Sequence, residues 1–226
     1  MRLHPGIPLL WLAALAGFVV MALFAAANDT FPADLWLMHR LQDVDAAAFR
    51  HTLRWTERLG DMPYLAAVWV AAAAAACVLI GRWQGLLVLA SIAGRLANTG
   101  LKEDIERPRP SPDLAEVSKD QPSNFSFPSG HAEGAMILYG LVFFLAAAYI
   151  PDWRLRLAVQ AVCVWVTAIT GLERMYAGDH WASDVAGGYY FGALVVVPLI
   201  AFERLVIRRR DGVSYRQPVP PQRGTA

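Results

Sequence analysis

PSGHAEGAMILYGLVFFLAAAYI, Pro128 to Ile150, decides how this chain is read. A polar loop ends at Pro128. From Ser129 the residues are predominantly apolar over about the length, ~20 residues, that a helix needs to cross a bilayer. Ser129 is a good N-cap, and the first N–H groups of such a helix are unpaired and carry the positive end of its dipole. That terminus suits an anion, phosphate above all. Gly130 lets a ligand approach the backbone closely, and His131 stands in the first turn, where it can give or take a proton beside the anion. Taken alone, the stretch is better read as a capped helix with an incidental histidine.

Two further stretches lie at the mouths of apolar runs. Upstream is KEDIERPRP, Lys102 to Pro110; downstream is RMYAGDHWASD, Arg174 to Asp184. Singly, the first reads as a solvated loop of mixed charge and the second as a juxtamembrane charge cluster. Together they supply what phosphoryl transfer needs. Lys102 can neutralise charge on a phosphoryl group, and Arg109 and Arg174 can clamp its oxygens with paired N–H donors. Pro108 and Pro110 stiffen the arginine's loop. Ser129 and the N–H groups of Gly130 and His131 complete a phosphate-binding cage, the preorganised charge that carries most of the catalysis in such reactions. His180 and Asp184 are four apart at the start of a helix. If Asp184 accepts from one ring nitrogen, it sets the tautomer and leaves the other nitrogen to attack, with His131 as the general acid for the leaving group. Asp179 and Glu173 adjoin this motif and read as structural or tuning residues.

The ordered pattern K-x6-R-P, P-S-G-H and R-x5-H-x3-D resembles that of the type 2 phosphatidic acid phosphatase superfamily, over roughly residues 60 to 200. The resemblance implies the same roles for His180, His131, Asp184, Lys102, Arg109, Ser129, Gly130 and Arg174. It also implies a phosphohistidine intermediate hydrolysed by water, with no metal and no cofactor. One position departs: Glu173 stands where the family usually has Ser before the arginine.

The rest of the 226 residues agrees with a membrane protein: 56% are hydrophobic, and the mean hydropathy is +0.36. Twenty basic against 19 acidic residues leave a net charge of +1, no footprint for nucleic acid. Cys77 and Cys163 fall inside apolar runs and read as small buried hydrophobes, and no metal-ligand spacing stands out. The expected fold is all-α and polytopic, with six transmembrane helices: Ile7–Ala27, Met62–Ile80, Gln84–Leu101, Ser129–Ile150, Leu157–Leu172 and Ala182–Val206. The first run could pass for a signal peptide at its Ala25-Ala26-Ala27 end, but its length suits a retained span. Residues 28 to 61 read as interfacial helices in the first outer loop. Arg154 and Arg156 mark a short turn. Arg95, Asn98 and Lys102 share one helix face. Arg95, within a span and too deep to touch the phosphate, should face the bundle, with Glu133, Asn98 or backbone carbonyls as partners.

Residues 1–207 read as one membrane phosphatase domain, and 208–226 as a basic, Pro-rich, disordered cytoplasmic tail. The short turns and Arg208-Arg209-Arg210 place both termini in the cytoplasm. The motif loops then face the periplasm or exterior of an inner-membrane, multi-pass protein. The expected substrate is a membrane lipid phosphate or diphosphate, with undecaprenyl diphosphate favoured on family frequency. Two other readings are a lipid phosphotransferase of the same superfamily and a non-catalytic lipid-phosphate binding or transport protein.

Overall fold

The computed structural model describes residues 6–60, 64–118 and 121–207. Within them the chain forms nine α-helices and no strand. These are α1 (Gly6–Ala27), α2 (Asp34–Gln42), α3 (Ala47–Gly60), α4 (Tyr64–Leu79), α5 (Arg82–Ala90), α6 (Gly94–Ile105), α7 (Gly130–Tyr149), α8 (Trp153–Tyr176) and α9 (Ala182–Phe202). The all-α expectation holds. The expected tail, 208–226, and the start of the second expected span at Met62 lie outside the described residues.

Among the described residues, four stretches are long and apolar enough to cross a membrane: Gly6–Ala27, Gly130–Tyr149, Trp153–Tyr176 and Ala182–Ile207. The second expected span is the shorter helix α4. The third is not one helix. A 3-10 turn at Ser91–Ala93 divides it into α5 and α6. At that break the Val88 carbonyl accepts from the Ser91 hydroxyl at 2.6 Å and from the Trp69 indole N–H at 2.8 Å, so the bend leaves it satisfied. The expected turn at Arg154 and Arg156 is instead the first turn of α8, because Asp152 caps that helix by accepting from the Leu155 N–H at 2.8 Å.

The core is built around α7. Ile137, Leu138 and Leu141 of α7 are fully buried and pack with Trp69 of α4, Val88 of α5 and Val196 of α9. α9 lies closest, because Gly188 faces the start of α7. A Cβ there would meet the Ser129 carbonyl oxygen and come within 3.0 Å of the Ala132 Cβ. α1 packs on α9 and α6. Its Phe18 meets Phe191 at 5.2 Å between ring centroids, and its Leu9, Leu10 and Leu23 remain outward and exposed. Cys163 is buried as expected, but Cys77 is exposed. The buried stripe of α4 runs through Leu65, Trp69, Ala73 and Ala76, and a run of alanines does not tell which face that will be.

Candidate active site

Helix α6, the loop after it, the start of α7, the end of α8 and the turn from α8 into α9 converge on one cavity of about 350 Å³. Lys102, Arg109, Gly130, His131, Arg174 and His180 all line it, together with Arg95, Asn98, Glu133 and Asp179. Asp184 lies one layer behind His180 and is fully buried. The structure therefore brings together seven of the eight residues singled out from sequence. Ser129 is the exception. It is fully buried, and its hydroxyl faces its own helix, accepting from the Ala132 N–H at 3.5 Å. Its N–H is also taken, by the Asp184 carbonyl at 3.0 Å. Ser129 caps α7 and ties it to α9; it does not line the cavity.

The shared face of α6 grips the segment that leads into α7. Lys102 Nζ donates to the carbonyls of Phe125 at 2.6 Å and Ser126 at 3.0 Å. Asn98 Nδ2 reaches the Pro128 carbonyl at 3.5 Å, and Arg95 Nη1 the Gly130 carbonyl at 2.8 Å. Two of the three Lys102 donors are thus committed to the backbone, which fixes the ammonium at the cavity wall. Of the partners weighed for Arg95, a backbone carbonyl takes its hydrogen bond, while Glu133 acts on it through charge. The expected depth of Arg95 needs correction: its long side chain extends along α7 to the cavity.

Arg109 is held by Asn124, whose carbonyl accepts from Nε at 2.8 Å and whose side-chain oxygen accepts from Nη2 at 2.7 Å. Its Nη1 donates to the Asp179 carbonyl at 2.5 Å and lies 3.3 Å from His180 Nε2. Arg174 contacts the Glu173 carboxylate through Nε and the Asp179 carboxylate through Nη1, the latter at 3.0 Å. Glu173, the position that departs from the family pattern, therefore holds the cavity arginine. Gly178, with φ of 70°, sits in the left-handed region that favours glycine and turns the chain from α8 into Asp179 and His180.

His180 presents its two nitrogens to different surroundings. Nδ1 faces Ser126 Oγ at 3.4 Å and Asp184 Oδ2 at 3.5 Å, and Nε2 faces Arg109 and the cavity. The Ser126 hydroxyl donates to Asp184 Oδ2, so its oxygen is left to accept from Nδ1–H. That network assigns the proton to Nδ1 and the lone pair to Nε2. Burial pushes the His180 imidazolium well below its ordinary range, and the charges of Arg109, Lys102, His131 and Arg174 push the same way. A neutral ring with an unprotonated Nε2 beside a cluster of cations is suited to attack an anionic phosphorus.

Three polar residues of this network were not among the sequence candidates. Ser126 was only part of the loop before α7. Arg107 was passed over beside Arg109, although both precede proline. Arg107 is fully buried and donates through Nη1 to Asp184 Oδ1 at 2.5 Å and through Nη2 to Asp34 Oδ2 at 2.8 Å. The R-P-R-P repeat was the available signal for Arg107, whereas nothing local distinguishes Asp34. Among the described residues, no group of three or more His, Cys, Asp or Glu side chains is arranged to hold a metal ion.

Residues 83–207 match the sequence model of the PAP2 superfamily. Phosphatidylglycerophosphatase B of Bacillus subtilis (strain 168) is 34% identical over 131 residues, which are 57% of this chain. The chain spans 63% of that relative's length. A crystal structure of a transmembrane PAP2-type phosphatidylglycerolphosphate phosphatase from Bacillus subtilis superposes with a TM-score of 0.74 at 25% identity, covering 87% of this chain and 96% of that one. The crystal structure of Aquifex aeolicus LpxE, at 20% identity, shares the fold with a TM-score of 0.60 over 76% of this chain and 98% of its own.

Proposed function

This chain belongs to the PAP2 superfamily, and from that premise we propose that it is an integral-membrane phosphatase acting on lipid phosphates through a phosphohistidine on His180, without a metal ion. One observation carries the reading: Lys102, Arg109, His131, Arg174 and His180 line a single cavity, with Asp184 behind His180. Nε2 of His180 attacks phosphorus as the bond to the leaving oxygen breaks, and His131 protonates that oxygen. Lys102, Arg109 and Arg174 bind the equatorial oxygens, where negative charge is spread in the transition state. Ser126 and Asp184 hold the Nδ1 proton and stabilise the ring as it becomes positive. Water then attacks the phosphohistidine, with His131 as base, and releases phosphate. The cationic cage supplies the charge neutralisation that a metal supplies elsewhere.

The substrate's phosphate sits in the cavity, and its apolar tails lie among the helices. The name of the B. subtilis relative makes phosphatidylglycerol phosphate the first substrate to test, with undecaprenyl diphosphate second. In the proposed topology the four long helices, α4 and the bent α5–α6 pair make six spans, so both termini share one side. The basic Arg208-Arg209-Arg210 tail and the short turns favour the cytoplasm for that side and the exterior for the cavity. The test is phosphate release from a panel of lipid phosphates by the purified protein. Release is expected to persist in EDTA and to be inhibited by vanadate, which adopts the five-coordinate geometry of the transition state. Loss of activity in EDTA with recovery on Mg²⁺ would overturn the metal-independent mechanism. No release of free phosphate without an added alcohol, with transfer to the alcohol once it is supplied, would show a transferase.

A further inference from the structure

We infer that Asp34, on α2 and outside the segment matched by the superfamily, is a positioning residue of the catalytic centre: through Arg107 and Ser183 it sets the charge and place of Asp184, and through Asp184 the tautomer of His180. The inference rests on the mechanism proposed above.

The helix that carries Asp184 begins without a side-chain cap from its N-cap residue. Trp181 occupies the N-cap position of α9 and offers no side-chain hydrogen bond to the first turn. The N–H groups exposed there need acceptors, and two carboxylates supply them. Asp184 Oδ2 accepts from the Trp181 N–H at 2.9 Å, and Asp34 Oδ1 accepts from the Ser183 N–H at 2.8 Å. Asp34 therefore caps α9 from another helix. Its second oxygen takes the Ser183 hydroxyl at 2.7 Å and Arg107 Nη2 at 2.8 Å. Arg107 completes the link, with Nη1 on Asp184 Oδ1 at 2.5 Å and on Ser183 Oγ at 2.8 Å.

Asp34, Arg107 and Asp184 are all buried, with exposures of 1%, 0% and 0%. Water thus does little to screen this row of alternating charge. One guanidinium between two carboxylates leaves one negative charge to be shared. Asp34 takes up part of the Arg107 charge, and Asp184 stays negative enough to hold Ser126 and the Nδ1 proton of His180. Without the Asp34 charge, Arg107 bears on Asp184 alone and weakens its hold on the imidazole. The other charged groups facing His180 are Arg109, Lys102, His131 and Arg174, with Asp179 and Glu133 on the same cavity wall. Lys102 also faces Asp184. None of these touches Asp34.

Asp34→Asn keeps the shape and one oxygen for the Ser183 N–H but removes the charge. Two readouts are compared in the full-length protein in detergent. In ¹⁵N-histidine-labelled protein, the wild type is expected to hold His180 as the Nδ1–H tautomer, and Asp34→Asn to populate the Nε2–H tautomer. In phosphate release from the best lipid of the panel above, kcat should fall about 10- to 100-fold, the range typical of residues that orient a catalytic ligand. Inhibition by inorganic phosphate should stay within about twofold, because the cage is untouched. A folded Asp34→Asn protein with the wild-type tautomer and kcat overturns the inference. A wild type that releases no phosphate from any lipid overturns the proposed function instead, and the tautomer comparison still decides the role of Asp34. If Asp34→Asn does not fold, Ser183→Ala replaces it. That variant loosens Asp34 against Arg107 while keeping both charges, and it should move the tautomer in the same direction by less. An unchanged tautomer there refutes the link.

Discussion

His131 faces the cavity from α7 and His180 from the turn between α8 and α9, and the proposed mechanism gives them different tasks. His180 has a hydroxyl and a carboxylate at Nδ1 and cations at Nε2, the environment of a neutral nucleophile. His131 stands in the first turn of α7, beside the N–H groups proposed to receive the anion. His180→Ala is expected to abolish phosphate release while leaving the protein folded and able to bind inorganic phosphate, as calorimetry would measure. His131→Ala should lose about 10²–10⁴-fold with a lipid alkoxide leaving group, the usual worth of a general acid, and much less with p-nitrophenyl phosphate. An equal loss with both substrates would falsify the acid role. These two histidines and the cavity cations were legible because each sits in a short motif with its chemistry on its side chain. Ser126 and Arg107 were not, because they matter only through what they touch across 58 and 77 residues of sequence.

Helix α9 shows how an element carries its own irregularity. Pro198 lies inside it and has no N–H to give the Leu194 carbonyl. In an apolar environment that oxygen needs another donor, and the Trp11 indole of α1 supplies it at 3.0 Å. The contact fastens α1 to α9 one side chain away from the Phe18 aromatic cluster. Trp11→Phe keeps the ring and removes the donor. It is expected to destabilise the protein by about 1–3 kcal/mol, the cost of an unpaired buried carbonyl. Thermal unfolding in detergent checks this, with phosphate release below the transition unchanged. A wild-type melting temperature would show that the carbonyl finds a different donor. Apolar length marked this helix in the sequence. The bend between α5 and α6 went unmarked, because Ser91, Ile92 and Ala93 are ordinary helix residues and Trp69 lies on another element.

Across the whole molecule, the motif-bearing loops gather at one end of the bundle, with the α7–α8 connection at the other end of α7 and α8. The proposed topology places the loop between α6 and α7 outside the cell and the α7–α8 turn inside. Asp113 is exposed on the first of these connections, and Arg154 is exposed in the first turn of α8, next to the second. In a background with Cys77 and Cys163 replaced, Asp113→Cys is expected to react with a membrane-impermeant maleimide in intact cells. Arg154→Cys should react only after lysis. The reverse pattern inverts the orientation and places the cavity in the cytoplasm.

By itself the sequence determined the helical class, the apolar segments and the identity of the groups around the cavity. Hydrophobic runs and short motifs are local properties, written in neighbouring residues. Only the tertiary structure decided that Ser129 caps a helix instead of lining the cavity, that Arg95 reaches the cavity wall, and that Cys77 faces outward. It also decided that Asp34 and Arg107 stand behind Asp184. The reason is the same in each case. A buried polar group must find its partner wherever packing places one, and the chain separation between partners carries no trace of that choice.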